Sequence, residues 1–149
     1  MNSYDARMID VNKKPITLRK AVAQAHIRLS SKTIRRIRDK KIPKGDVLTI
    51  AKCAGILAAK RVDELIPLCH PLALEYVGID FKLEKDAILI KTRCKTRAKT
   101  GVEMEAMVAA CMSALTIYDM CKSIDRGAII EQIKLIEKKG GKSGHYKRG

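Results

Sequence analysis

Residues 99–122 read KTGVEMEAMVAACMSALTIYDMCK, and this stretch constrains the fold more than any other. From Val102 to Cys121 there is no proline and no interior glycine, and the charges are limited to Glu103, Glu105 and Asp119. A helix that is apolar nearly all round is a buried helix. The uncharged run 106–118 is shorter than the roughly 20 residues a bilayer crossing needs, so the burial is expected inside a protein core. Ala106, Ala109, Ala110, Ser113 and Ala114 are small and let other elements approach the helix backbone. Thr100 stands three residues before Glu103, the spacing of a capping box, and predicts the helix start.

Buried charge is costly unless paired, so the three carboxylates need partners or a task. Glu103 and Glu105 point to nearly opposite faces. Glu105 and Asp119 share a face, but the rise of a helix sets them about 21 Å apart, too far to meet one small ligand. Asp119 and Lys122, three residues apart, can act together. Two readings stand for each acid. In the first, Glu103 is a cap, Glu105 a fraying first-turn acid and Asp119 a salt bridge to Lys122. In the second they are functional, as isolated ionisable groups on apolar surfaces often are.

A chain of 149 residues suits one domain. We expect a flexible arm over 1–14 and a single domain over 15–149, with a Gly/Lys-rich segment at 139–149. There is no signal peptide with an apolar core and no spanning segment. Five cysteines at irregular spacing are no disulfide framework and point to a reducing cytoplasm. The lack of a CxxC pair counts against structural zinc, and no metal site is expected. The net charge of +15 is uneven: residues 1–44 carry 13 Lys/Arg and 3 Asp/Glu, residues 45–90 carry 5 and 7, and residues 91–149 carry 13 and 6. Such a field favours an anionic partner, nucleic acid or a phosphorylated small molecule, although most single lysines also suit a solvated surface.

Along the chain, apolar residues recur at every second position from Ala21 to Leu29, predicting a half-exposed strand over 17–29 with His26 on its polar side. Ser31 is expected to cap a short basic helix running to about Asp39, with Ile34 and Ile37 inward. Pro43 and Gly45 mark a turn. Asp46 suits the N-cap of a helix over 47–65, whose stripe is Val47, Ile50, Ala51, Ala54, Ala58, Val62 and Leu65. Lys44, just before that helix start, stands where anions bind; it also suits a turn in water. Pro67 and Pro71 hold His70 extended between them. His70 is then either an acid, base or phosphate donor or a buried, hydrogen-bonded side chain. Residues 76–83 and 87–97 read as a hairpin around Glu84-Lys85-Asp86, with Lys91, Arg93, Lys95 and Arg97 on one basic face. Arg126-Gly127 ends the central helix. Residues 129–138 fit a helix or a strand; we read a strand, since the sheet needs a fourth member. Gly140-Gly141-Lys142-Ser143-Gly144 has the flexible backbone of a phosphate-binding nest but is no Walker A loop. The order is the βαββαβ plan of α+β, ferredoxin-like folds, a four-stranded antiparallel sheet packed by helices.

Five segments together resemble one family: 44–46 (KGD), 67–72 (PLCHPL), 99–106 (KTGVEMEA), 114–122 (ALTIYDMCK) and 140–144 (GGKSG). They are similar to the cyclic pyranopterin monophosphate synthases, molybdenum cofactor biosynthesis protein C. The resemblance runs from about Met8 to Tyr146, and the basic segment 31–41 departs from it. It implies a lyase that takes a 3′,8-cyclo-dihydro-GTP made by a radical SAM enzyme. The purine is rearranged into a pterin, a cyclic phosphate closes and pyrophosphate leaves, without a cofactor. It also implies a cytoplasmic homohexamer built from dimers, with sites at dimer interfaces. Residue by residue, it implies that Asp119 is the acid/base, Lys122 its partner and Lys44 a second essential lysine. Leu68, Cys69, His70, Met104 and Glu105 would line the substrate, Arg19 and Lys142 fit the triphosphate, and Glu103 would orient either lysine, Lys122 or Lys44.

Two other classes fit the charge. An RNA-binding module of this plan stacks bases on aromatics, whereas this chain has one Phe, four Tyr and no Trp, which counts against nucleic acid. A non-catalytic nucleotide sensor would keep the phosphate cations but not the Asp119/Lys122 pair.

Overall fold

The computed structural model describes residues 4–149; residues 1–3 of the expected arm lie outside the described residues. The elements are β1 (Thr17–Arg28), α1 (Ser31–Arg38), α2 (Val47–Ala59), α3 (Val62–Leu65), β2 (Tyr76–Leu83), β3 (Ala87–Ala98), α4 (Glu103–Cys121), β4 (Ile129–Lys139) and β5 (Tyr146–Lys147). The sheet order is β2-β3-β1-β4-β5. Every neighbouring pair is antiparallel. This is the α+β, ferredoxin-like plan, with a fifth strand of two residues that the sequence pattern did not announce. So short a strand forms because β4 already offers it an open edge.

The helices cover one face. Odd-numbered residues of β1 and even-numbered residues of β3 point to them, and Ala21, Ala23, Ala25, Ile27, Ile88, Ile90, Thr92, Cys94 and Thr96 are buried. The alanines of β1 meet Ala106, Ala109, Ala110 and Ala114 of α4, all without exposed surface. Side chains this small let the helix lie close to the sheet. Hydroxyls fix that approach: Thr92 Oγ1 donates to Ala106 O at 2.7 Å, and Ser113 Oγ donates to Ala51 O at 3.0 Å, joining α4 to α2. Thr96 Oγ1 donates to Ala73 O at 2.6 Å and pins the proline loop to β3. The basic ladder of β3 faces away from the helices, with Arg93 paired to Asp80 and Lys95 over the Tyr76 ring.

Several local expectations are corrected. Ser30, not Ser31, caps α1, its Oγ accepting from Thr33 N–H, because a capping oxygen must reach the N–H three residues on. The helix over 47–65 is two helices. It breaks where Arg61 leaves helical φ and its N–H bonds to Ala58 O. Ile50 and Leu65 are exposed, and Gly55 and Ala59 take their places in the buried stripe. The capping box is absent. Val102 is the N-cap and offers no side-chain bond, and the Glu103 carboxylate pairs with Lys138 Nζ at 2.9 Å instead. A full charge across the fold outcompetes a local cap. Finally, α4 is not buried all round. Met107, Cys111 and Met112 are only partly covered and Leu115 is exposed. At 19 residues α4 is long and apolar enough to cross a membrane by those measures alone, but one face packs on the sheet.

Gly55 marks the tightest helix contact. A Cβ there would collide with Ser113 Oγ and lie 2.9 Å from Ala109 O, which belongs to helix backbone and cannot rotate away. We expect Gly55→Ala to cost about 1–3 kcal/mol, as overpacking does. Thermal unfolding followed by circular dichroism should show the midpoint fall by roughly 3–10 °C; an unchanged midpoint would mean that the helices are not held this close.

Candidate active site

The site residues fall into two groups, one at each end of α4. At its N-terminal end, β1 begins while β3 and β4 finish, and the loop holding His70 comes alongside. Two cavities form there and share Lys14, Thr100, Gly101 and Glu103.

The first, about 270 Å³, is lined by Leu68, Cys69, His70, Met104 and both glutamates. Although Glu103 and Glu105 leave the helix in opposite directions, the cavity wraps its first turn and reaches both. Glu105 is 4% exposed, so it is not a fraying acid. Burial, more than the neighbouring charges of Glu103 and Asp63, pushes its carboxyl up to about 7. At neutral pH it is divided between acid and carboxylate, the state that suits a group giving and taking protons. Burial and then the Glu105 charge push the Cys69 thiol up, which keeps it protonated and a poor nucleophile. His70 Nε2 lies 2.7 Å from the backbone carbonyl of Ile9. A carbonyl only accepts, so this nitrogen carries the hydrogen and the ring is held as its Nε2–H form.

The second cavity, about 550 Å³, is cationic. Lys14, Arg19, Lys99, Lys138 and Lys142 line it, against one acid, Glu103. Arg19 is buried and uses Nε and Nη2 on the carbonyls of Ala98 and Lys99, at 3.3 and 3.1 Å. Its Nη1 faces Gly141 so closely that a Cβ there would strike it, and a Cβ on Gly140 would strike Leu18 O. Both glycines have positive φ, +105° and +76°. Only glycine meets both demands, and the loop that carries Lys142 can thus curl over Arg19. The positive end of α4 adds to the field.

The other group lies at the C-terminal end of α4. Asp119 accepts from Lys122 Nζ at 2.8 Å and from Lys44 Nζ at 2.9 Å. The three side chains are about half exposed. Hydrogen bonds from Lys122 and then Lys44 hold the Asp119 carboxyl down, to about 2, and the same contact raises Lys122. The trio is a carboxylate clamped between two ammonium groups. Within one chain it does not meet the cavities, since Glu105 and Asp119 are about 21 Å apart along the helix.

Sequence reasoning missed Lys14, Thr17, Thr100, Lys99 and Lys138, all of which line the second cavity. The loop residues carry no periodicity, and the Lys138–Glu103 pair joins elements far apart in the chain. Among the described residues no cluster of three or more His, Cys, Asp or Glu side chains is placed to hold a metal ion.

Comparison with known proteins gives the same picture from a separate direction. Residues 8–141 match the model of the MoaC family. The chain is 53% identical over 145 residues to a cyclic pyranopterin monophosphate synthase of Heliobacterium modesticaldum, covering 96% of this chain and 91% of that relative.

The raised Glu105 carboxyl has a sign that can be checked. The folded protein binds this proton more tightly than the unfolded chain, so the group lowers stability progressively as pH rises from its ordinary value of 4.5 through about 7. Glu105→Gln should therefore unfold at a higher temperature than the parent at pH 8, with the difference closing by pH 5. An equal difference at both pH values would show that Glu105 is not buried as a proton-binding group.

Proposed function

The chain belongs to the MoaC family, and on that premise we propose that it is a lyase converting 3′,8-cyclo-dihydro-GTP into cyclic pyranopterin monophosphate with release of pyrophosphate, a step in molybdenum cofactor biosynthesis. The observation that carries the reading is the pair of joined cavities of opposite character. One offers a proton-exchanging glutamate, a histidine with a fixed N–H and an apolar wall, which suits a purine whose ring must open and close again. The other offers arginine, lysines and a glycine loop, which suits a triphosphate. In this reading Leu68, Cys69, His70, Met104 and Glu105 hold the base, and Arg19 and Lys142 hold the phosphates. Glu103, paired to Lys138, keeps that lysine at the edge of the phosphate site.

The roles of Asp119, Lys44 and Lys122 follow from the same chemistry. Purine rearrangement needs several proton transfers, and expelling pyrophosphate needs cations against the charge that develops. The trio supplies a carboxylate and two ammonium groups. For it to serve the cavities it has to come from another subunit. The partly covered Met107, Cys111 and Met112 and the exposed Leu115 of α4 support this, because an apolar strip left open by one chain is suited to a second. We take the assembly to be a homohexamer of dimers, working in the cytoplasm on a substrate supplied by a radical SAM enzyme. Ile9, Val11 and Lys14, from the segment before β1, contribute to the first cavity.

Two experiments test the reading. Purified protein given the cyclised GTP should release pyrophosphate and form a pterin that fluoresces after oxidation, while Asp119→Ala should be inactive. Activity in both proteins would remove Asp119 from the centre, and activity in neither would end the assignment. Asp119→Ala and Glu105→Ala chains, each inactive alone, should recover about a quarter of parental turnover when randomly mixed, since half the dimers are then mixed and half of their sites intact. Light scattering should show six chains per particle. No recovery in proven mixed particles would count against a site shared between chains.

A further inference from the structure

The segment leading into β1 is a wall common to both cavities. Lys14 lines the cavity of His70 and Glu105 and also that of Arg19 and Lys142, and Thr17 lines the second. The wall is held at two points. Ile9 O accepts from His70 Nε2, and Asn12 O accepts from Lys99 Nζ at 3.1 Å. Lys14 N–H closes the turn onto Val11 O at 3.0 Å.

Two side chains on this wall are unengaged. Lys138 is paired with Glu103 and Lys99 is bonded to the arm, but Lys14 enters no ion pair among the described residues. Thr17 Oγ1 is buried and has no hydrogen-bond partner among the described residues. The buried hydroxyls of Thr33, Thr92, Thr96 and Ser113 are all bonded, so Thr17 stands out. A buried polar atom without a partner asks for a ligand that is absent, and this one borders a cationic cavity.

We propose that Lys14 and Thr17 are phosphate-binding residues: Lys14 contacts the phosphate next to the sugar, where the two cavities meet, and the Thr17 hydroxyl donates to a phosphate oxygen inside the cationic cavity. The inference rests on the reading above, with a base in one cavity and a triphosphate in the other. A ligand laid across both has its sugar and first phosphate at their junction, and Lys14 is the cation that belongs to both walls. Lys13, its neighbour, is exposed and lines neither cavity, so it reports what loss of a charge alone does.

The test compares Lys14→Ala, Thr17→Val and Lys13→Ala with the parent, in turnover of the cyclised GTP, in calorimetric titration with GTP and in ligand-free thermal unfolding. Lys14→Ala should raise KM and weaken GTP by about tenfold or more, the scale of a lost charge-assisted hydrogen bond. Lys13→Ala should change both by less than about twofold, as an exposed charge does. Thr17→Val should weaken GTP yet unfold no earlier than the parent, because it removes a hydroxyl that is unpaired without ligand. A purely structural threonine would show the reverse, a lower unfolding temperature with unchanged affinity. Parental affinity in Lys14→Ala, or an equal loss in Lys13→Ala, overturns the proposal. If the parent fails to turn over the substrate but binds GTP through Lys14, the reaction assignment falls and the phosphate site stands.

Discussion

The structure depends on how closely α4 lies against β1. Alanines on both sides remove the bulk that normally separates a helix from a sheet, and the directional bonds of Thr92 and Ser113 then fix the helix against sliding. That approach has a consequence at the first turn. Glu105 sits on the helix face turned to the protein interior, so the contact that holds the fold also strips water from a carboxylate. Its raised proton affinity is a product of packing, with neighbouring charge a lesser cause.

The same helix separates the chemistry. Its N-terminal end gathers a proton-exchanging pocket and a cationic one, while its C-terminal end carries a carboxylate held between two ammonium groups. A rigid rod keeps these sets apart within a chain, and it leaves an apolar strip uncovered. In the proposed assembly both features, a divided site and an open surface, are met by one event, the apposition of two chains.

What could be read from the sequence follows from how local each signal is. The strands were legible because alternation is a property of neighbours, as in Ile88, Ile90, Thr92, Cys94 and Thr96, all buried as the pattern requires. The body of α4 was legible from its unbroken apolar run, although the helix stops at Cys121, short of the expected end at Arg126-Gly127. What failed was decided at long range. The capping box gave way to Lys138, which lies 35 positions beyond Glu103 in the chain. The stripe of α2 was misphased because Gly55 is selected by the approach of α4, not by its own helix. The family resemblance put Lys44 and Asp119 on one list, but their contact joins residues 75 apart and has no local signature. Lys14 and Thr17 were invisible, since Lys14 lies in a coil segment without periodicity, Thr17 only opens β1, and their cavity is built from three separate parts of the chain.

The resting state of the trio also bears on how it works. With Lys122 and Lys44 both bonded to it, Asp119 is held near 2 and takes up no proton at neutral pH, so the ammonium groups are its available donors. In the proposed site an incoming phosphate competes with Asp119 for those same ammonium groups. Each lysine drawn to the phosphate removes one cause of the depressed proton affinity, and the carboxylate moves back toward the range where it can accept a proton. Glu105 is raised by packing, before any ligand is present. The two acids therefore differ in kind: one is set by packing and the other by ion pairs, which in the proposed site the ligand's own charge releases.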